Sequence, residues 1–195
     1  MSVTPKQEKW NQAYASAEIS TAEPAQVLKD NAFLLSNTGT ALDLACGRAG
    51  NALFLAKQGY EVDAIDNSAV VLEHIEKYAN ANHIKINSKK RDLKSDGLSD
   101  KQYDVIVVSF FLQRGLSKQI IQALKPSGLL FYQTWSQLRC DETGPSNPKF
   151  RLEKGELLNL FSPLTPVIYH EHGLIGDLTA GLRNQAMLVA QKNLL

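Results

Sequence analysis

The sequence predicts an α/β fold built on a doubly wound, mostly parallel seven-stranded sheet with an antiparallel terminal strand. Short apolar runs alternate with helix-like segments as far as Trp135, and parallel neighbouring strands need such helical crossovers. The run from Asp104 to Ser109 contains consecutive β-branched residues, which is typical of a strand buried on both faces of a sheet. After Trp135 a long polar segment precedes two further strand-like runs, which we expect to form an antiparallel pair at the end of the sheet.

Each strand is predicted from an apolar run bounded by turn or helix residues. The expected strands are 41–44, 60–66, 84–92, 104–111, 128–135, 166–171 and 185–191. The helices expected around them are 24–35, 51–58, one that begins at Asn67 or Ser68, 117–125 and 155–161. Gly59 suits a left-handed C-terminal cap, Asn67 or Ser68 suits an N-terminal cap, and the turn Pro126-Ser-Gly128 is typical of a helix end.

Length, charge and cysteine content bound the functions that this chain can have. Its 195 residues suit one domain, with an N-terminal helical segment (1–36), a core (37–135), and an insert with C-terminal strands (136–195). The 21 basic and 20 acidic residues give no reason to expect a nucleic-acid or membrane partner. Two cysteines, a polar start and the absence of a long apolar run favour a cytoplasmic protein. We expect a monomer or a homodimer.

The most informative segment is Ala41-Leu-Asp43-Leu-Ala-Cys-Gly47-Arg-Ala-Gly50-Asn51, which follows a strand and opens a helix. An α/β sheet binds ligands at such a point, and glycines let the backbone approach a ligand closely. Asp66 ends the next strand, where a carboxylate can accept both hydroxyls of a ribose, and Asp92 ends the third strand. Each acid alone could be a solvated or capping residue, but three at successive strand ends beside one glycine turn favour a binding site.

A nicotinamide-dinucleotide site is an alternative interpretation of the same residues. Ala45-Cys-Gly47-Arg-Ala-Gly50 is the G-x-G-x-x-G fingerprint with alanine at its first glycine, and Asp66 follows at about the 20-residue spacing of that motif. The alanine stands where the tightest turn is needed. The charge of Asp43 would also oppose a pyrophosphate, whereas it would attract an ammonium group.

The segment Ala41-Leu-Asp43-Leu-Ala-Cys-Gly47 resembles the first motif of class I S-adenosylmethionine-dependent methyltransferases. The continuation to Asp66 is similar to the tellurite-resistance methyltransferase group. The similarity extends through four later segments: Arg91-Asp92-Leu93, Tyr103-Asp104-Val-Ile, Leu124-Lys-Pro-Ser-Gly128 and Gly155-Glu-Leu-Leu. This resemblance covers most of the chain and implies a Rossmann-like fold that transfers a methyl group. Ala45 and Ala49 depart from it, because the family often has glycine there, and Arg183 stands where tellurite enzymes carry a basic pair.

The resemblance also implies which residues hold S-adenosylmethionine. The backbone of Ala45, Cys46 and Gly47 would hold the methionine part, with Asp43 near its amino group. Asp66 would take the ribose hydroxyls, and the adenine would lie near Asn67, Asp92 and Leu93. Ser109 and Phe110 would face the transferring methyl, and Tyr14 would belong to an N-terminal flap, whereas the residues themselves favour simple packing of that segment on the domain.

The methyl acceptor is predicted to be a small molecule, because the chain has neither an added domain nor a basic surface. The acceptor residues would come from the N-terminal segment, the loop after the fourth strand and the late loops: Trp10, Phe111, Arg114, Trp135, Arg151 and Arg183. Their mixture of rings and guanidinium groups suits a small molecule with an apolar part, with or without a negative charge. Arg114 and Arg183 are the candidates for orienting an anion, and the resemblance implies an oxyanion such as tellurite as a narrower option. No catalytic base stands at a diagnostic spacing, so a non-catalytic module that only binds the cofactor stays an alternative, and no metal site is expected.

Overall fold

The structure is a computed structural model that describes residues 5–194. The chain divides into two compact units, 1–99 and 100–195, and each is described by itself. Its strands belong to a seven-stranded, mostly parallel sheet, so the α/β fold class that the sequence predicts is confirmed. Among the described residues, no helix has the length and apolar character needed to cross a membrane.

The first unit is a parallel three-stranded arrangement with helices along it. In chain order its elements are α1 (Pro5–Ala13), α2 (Gln26–Asp30), a 3-10 turn (Ala32–Leu34), β1 (Gly39–Leu44), α3 (Gly50–Lys57), β2 (Tyr60–Asp66), α4 (Ala69–Ala81) and β3 (Ile86–Lys90). Strand β2 pairs in parallel with both β1 and β3. The carboxyl ends of β1 and β2 therefore lie at one edge, where the predicted acids stand.

The helix expected over 24–35 is wrong as one continuous element. Helix α2 ends at Asp30, because the side chain of Asn31 donates to the carbonyl oxygen of Val27 at 2.8 Å and the Asn31 backbone leaves helical geometry. Such local side-chain bonding offers the backbone an alternative to helix. In contrast, the expected cap of α4 is confirmed at Ser68, whose hydroxyl accepts from the backbone N–H of Val71 at 3.4 Å.

The second unit contains four strands and two helices. Its elements are β4 (Tyr103–Ser109), a 3-10 turn (Arg114–Leu116), α5 (Ser117–Ala123), β5 (Leu124–Trp135), a 3-10 turn (Pro148–Phe150), α6 (Glu156–Leu160), β6 (Thr165–His170) and β7 (Gln185–Gln191). Strand β5 is parallel to β4, and β7 is antiparallel to both β5 and β6. The antiparallel strand is thus β7, which lies between β5 and β6, while β6 takes the terminal position.

Strands β3 and β5 differ most from their predicted bounds, whereas β1, β4 and β6 differ by one or two residues at an end. Strand β3 is shorter than 84–92, because the chain turns at Asp92, whose carboxylate accepts from the backbone N–H of Lys94 at 3.0 Å. Strand β5 begins at Leu124 and not at Gly128, with a register irregularity that absorbs the predicted Pro-Ser-Gly turn. Both differences arise from local side-chain and backbone geometry that an apolar run does not reveal.

Candidate functional site

The loop between β1 and α3 has three residues in the left-handed conformation. Ala45 has φ 57°, Gly47 has φ 49° and Ala49 has φ 62°. The loop is fixed at both ends, since Cys46 N–H donates to the Ile65 carbonyl at 2.9 Å and Ala49 N–H donates to the Cys46 carbonyl at 2.8 Å. A left-handed non-glycine residue costs about 1–2 kcal/mol, so the two alanines concentrate backbone strain at the predicted site.

Asp43 is fully buried beneath this loop. Its carboxylate accepts from the side-chain amide of Asn51 at 3.2 Å and from the backbone N–H of Ala52 at 3.0 Å. Burial raises the pKa of Asp43 to about 7, against the lowering effect of these two hydrogen bonds. The bonds give Asp43 a positioning role at the start of α3, whereas a contact with a ligand's amino group stays a prediction.

Gly50 permits a close approach between the start of α3 and the segment before α2. A Cβ at Gly50 would lie 2.1 Å from the carbonyl oxygen of Glu23, which no L side chain tolerates. The next residue, Asn51, accepts from the buried backbone N–H of Ala25 at 2.8 Å. The second glycine of the motif therefore serves packing in this structure.

Asp66, at the end of β2, joins the glycine loop to the start of α4. One carboxylate oxygen accepts from the backbone N–H of Gly47 at 3.0 Å, and the other accepts from the backbone N–H of Ser68 at 2.9 Å. The residue is 8% exposed. Because each carboxylate oxygen has about two acceptor sites, the side chain can hold the loop and still accept from further donors.

Helix α1 lies against the turn that follows Asp66. The side-chain amide of Gln7 donates to the Asn67 side-chain oxygen at 2.8 Å, and the Ser68 hydroxyl donates to the Asn11 side-chain oxygen at 2.8 Å. The amide nitrogen of Asn67 is buried and has no hydrogen-bond partner among the described residues. A buried donor without a partner is costly, which makes Asn67 a suitable contact for an acceptor atom on a ligand.

Tyr14 follows α1 and stands against the glycine loop. A Cβ at Gly47 would meet the Tyr14 hydroxyl at 2.9 Å, and the Tyr14 ring stacks on Trp10 with 5.8 Å between centroids. Burial, with Asp66 and Cys46 nearby, raises the pKa of Tyr14 to about 12. These contacts are consistent with both interpretations of the N-terminal segment, a packed helix and a flap over the loop.

Three further predicted residues of the first unit have different surroundings. Leu93 is buried, and Asp92 is half-buried in the turn after β3. Cys46 is buried, and burial together with Asp43 and Asp66 raises the pKa of its thiol well above the usual range. Cys46 is therefore a poor nucleophile.

Within the second unit, the turn after β4 presents Phe110 to solvent. Ser109 is half-buried at the end of the strand, and Phe110 is 49% exposed with φ 52°. The Phe110 N–H donates to the Gln133 carbonyl at 2.8 Å, and the buried Tyr132 hydroxyl donates to the Phe111 carbonyl at 2.8 Å. Two hydrogen bonds to β5 thus hold Phe110 in a conformation that a bulky residue rarely adopts.

Arg114 is bound within its own unit. Its Nε and one terminal nitrogen contact the two carboxylate oxygens of Glu156 at 2.5 and 2.8 Å, a bidentate pair. The terminal nitrogens also donate to the carbonyl oxygens of Lys149 and Arg151 at 2.8 and 2.9 Å. The guanidinium therefore joins the loop after β4 to the insert after β5, and the structure does not leave it open to an anion as the sequence suggested.

The other two predicted arginines are bound in the same manner. Arg151 is 2% exposed and donates to the carbonyl oxygens of Pro145, Ser136 and Thr143. Arg183 donates to three carbonyl oxygens within the segment between β6 and β7: Gly173, Asp177 and Ala180. Both guanidinium groups thus hold loops in place by charge-assisted hydrogen bonds.

Sequence reasoning missed the partners that hold these residues. Asn51 and Glu156 each complete a site residue's hydrogen bonds, and Glu171 accepts from the Tyr169 hydroxyl, the Gly155 N–H and the Ser136 hydroxyl. Asn51 had a visible signal, since it directly follows the glycine motif at the start of a helix. Glu156 had none, because it lies 42 residues from Arg114.

Comparison with known proteins identifies the family of this chain. The model of the family described as tellurite resistance protein TehB matches residues 7–173. Among curated proteins, hemagglutinin 1 of Eikenella corrodens is 36% identical over 83 residues, 41% of this chain and 27% of that protein. The ubiquinone biosynthesis O-methyltransferase of Rickettsia akari is 32% identical over 98 residues, 48% of this chain and 39% of that protein. The matches thus span less than half the length of these curated relatives.

Solved structures share the fold. TehB from Haemophilus influenzae superposes with a TM-score of 0.72 at 18% identity, covering 94% of this chain and 67% of that chain. A SAM-dependent methyltransferase from Aquifex aeolicus gives 0.67 at 18% identity, covering 95% and 97%. The family match over most of the chain confirms the resemblance: this chain belongs to the TehB family, within the class I S-adenosylmethionine-dependent methyltransferases.

Proposed function

We propose that this chain is an S-adenosylmethionine-dependent methyltransferase that acts on a small molecule in the cytoplasm. The observation that carries the proposal is the bridging geometry of Asp66. Its carboxylate orders both the Gly47 loop and the start of α4 through backbone N–H groups, and it keeps acceptor capacity for two ribose hydroxyls. The two cysteines form no disulfide, in agreement with a reducing compartment.

The residues around Asp66 fit the cofactor chemically. The strained loop of Ala45, Cys46 and Gly47 offers backbone groups to the methionine part. The side-chain nitrogen of Asn67, which has no partner among the described residues, offers a donor to a heterocyclic nitrogen of the adenine. Asp92 and Leu93 would receive the adenine, with Asp92 accepting from its exocyclic amine. Tyr14, which follows α1, would cover the methionine part.

The cofactor supplies a methyl group that is already activated by its positive sulfur. The protein then contributes mainly orientation and the exclusion of water, because an in-line displacement needs no activated intermediate. A dedicated base is not required for an acceptor with a free lone pair. His172 is unsuited to that role at Nδ1, which accepts from the Leu182 N–H at 3.0 Å.

The family match extends the proposal towards tellurite, and the O-methyltransferase relatives extend it towards an oxygen acceptor. The two arginines expected to orient an oxyanion, Arg114 and Arg183, do not support tellurite, because each is bound to groups of the chain itself, as is Arg151. A small acceptor without formal charge agrees better with these contacts.

Replacement of Asp66 tests the proposal. Asp66→Ala removes charge-assisted hydrogen bonds worth about 1.5–3 kcal/mol each, so cofactor affinity measured by calorimetry should fall at least about tenfold. Asp30→Ala, which removes an exposed carboxylate at the end of α2, is the matched control and should leave affinity unchanged. Circular dichroism confirms that both variants fold. Unchanged affinity in folded Asp66→Ala would place the ligand elsewhere.

A further inference from the structure

The turn after β4 displays an aromatic ring under conformational strain. Phe110 has a left-handed backbone, which bulky residues rarely adopt, and its side chain is 49% exposed. Burial does not explain the strain, since half of the ring faces solvent. The hydrogen bonds at Phe110 and Phe111 fix the backbone, so that the ring has a defined direction. Backbone strain at a half-exposed aromatic residue is an observation from which a functional role can be inferred.

Trp135 extends this surface at the end of β5. Its ring centroid lies 5.2 Å from that of Phe110, with the planes tilted by 42°. The guanidinium of buried Arg151 lies 5.8 Å from the Trp135 ring centroid, and Gly144 approaches the ring so closely that a Cβ would come within 2.6 Å. The indole is therefore fixed by its neighbours while Phe110 stands beside it. The two rings form a preorganised aromatic surface.

Three charged groups in the loops around these rings, Arg114, Arg151 and Glu171, already have partners. Arg151 donates to three carbonyl oxygens, and Arg114 is paired with Glu156. The carboxylate of Glu171, which accepts from Ser136 directly after Trp135, also accepts from Tyr169 and Gly155. An anionic or a cationic ligand would have to break these bonds to gain a counter-charge. A neutral ring gains its contact without that cost.

We propose that the acceptor of this chain is a neutral aromatic molecule that packs on Phe110 and Trp135. The inference rests on the proposed methyltransferase function and names its substrate class. In the reaction a lone pair of the acceptor's oxygen, nitrogen or sulfur forms the bond to the methyl carbon. The carbon–sulfur bond of the cofactor breaks, the sulfur keeps that electron pair, and the acceptor's proton passes to water.

Tryptophan fluorescence measures binding to this surface without any turnover. Trp10 and Trp135 are the two tryptophans of the sequence, so Trp10→Phe leaves Trp135 as the reporter. Catechol should quench it saturably. In the same background, Phe110→Leu should weaken catechol binding by about threefold to tenfold, the size of an aromatic pair contact, and Phe110→Tyr should preserve it. Phe33→Leu, which changes a 75% exposed ring of the first unit, is the matched control and should have no effect.

Turnover provides the second measurement. Formation of demethylated cofactor is assayed with catechol, aniline and thiophenol, against tellurite and ethanolamine. We expect turnover with at least one aromatic acceptor, and a KM for it that rises in Phe110→Leu and stays in Phe110→Tyr. If Phe110→Leu fails to fold, Trp135→Phe in the protein that retains Trp10 should raise the same KM.

Three results would overturn the substrate class: turnover confined to tellurite or ethanolamine, catechol that neither quenches Trp135 nor reacts, or a Phe110→Leu variant with unchanged catechol affinity. Failure of the methyltransferase proposal itself is distinguishable from these. It would show as absence of cofactor binding in calorimetry, with or without quenching of Trp135 by catechol.

Discussion

Replacement of Gly50 by alanine should disrupt the packing beneath the predicted cofactor loop. The new Cβ would lie 2.1 Å from the carbonyl oxygen and 2.5 Å from the carbonyl carbon of Glu23. Both are backbone atoms, so no side-chain rotation relieves the clash. The segment before α2 must move away from α3, which breaks the buried hydrogen bond from Ala25 N–H to the Asn51 side chain.

The net loss follows from opposing terms. Alanine improves helix propensity over glycine by about 1 kcal/mol. Breaking the Ala25–Asn51 bond leaves two buried polar groups without partners, at about 1–3 kcal/mol each. Val27 and Leu28, both fully buried in α2, lose part of their packing as well. We expect Gly50→Ala to lower the free energy of unfolding by roughly 2–4 kcal/mol.

Urea unfolding followed by circular dichroism measures this loss. Gly115→Ala is the matched control, because a Cβ at Gly115 meets nothing within 4 Å, and its stability should stay within about 0.5 kcal/mol of the parent. Cofactor affinity of Gly50→Ala should fall together with stability, because Asn51 also holds Asp43. A Gly50→Ala protein as stable as the parent would refute the close approach of the backbone at Glu23.

Three further predictions concern strain and charge. Ala49→Gly should stabilise the protein by up to about 1 kcal/mol in urea unfolding, because it removes left-handed strain. Ala56→Gly within α3 should destabilise it by a similar amount, and the same sign for both variants would contradict the strain argument. Burial raises the pKa of Asp43 from 3.8 to about 7, so its protonated form is favoured in the folded state and its contribution to stability declines as pH rises through that window. The free energy of unfolding of the parent protein should decline across that window, and the decline should be absent in Asp43→Asn. Identical pH profiles for the two proteins would exclude a raised pKa at Asp43. Burial raises the pKa of Glu156, but its hydrogen bond to Arg114 helps to lower that pKa below the ordinary 4.5, so the pairing stabilises the fold above 4.5 and is lost as pH falls. Glu156→Gln should therefore lower the free energy of unfolding near neutral pH by about 1–3 kcal/mol. An unchanged urea midpoint would show that the pair contributes little.

The sequence predicts the position of Asp66 well, because it depends on a local pattern, whereas Asp92 lies two residues beyond the end of β3. Asp66 ends a strand whose boundaries, Tyr60–Asp66, are those predicted, and its residue type suits both backbone and ribose donors. The left-handed conformations of Ala45 and Ala49 also agree with a family that often has glycine there. A short motif contains enough information to place these groups.

What the sequence does not reveal is contact between distant segments. The sequence shows no partner for the guanidinium of Arg114, because Glu156, with which it pairs in the fold, lies 42 residues away. The reason for Gly50 lies at Glu23, 27 positions earlier, and no pattern in either segment indicates that approach. The break at Asn31 depends on one side-chain rotamer. Such features need the three-dimensional arrangement, and they decide which predicted residues remain available to a ligand.

Calorimetric titration of the unsubstituted protein tests the central claim most directly, that the Gly47 loop and Asp66 bind the sulfonium cofactor. S-adenosylmethionine and S-adenosylhomocysteine should each bind at one site with a dissociation constant on the order of micromolar, and a nicotinamide dinucleotide should not bind. Saturable binding of the dinucleotide, with neither sulfur nucleoside bound, would contradict the account.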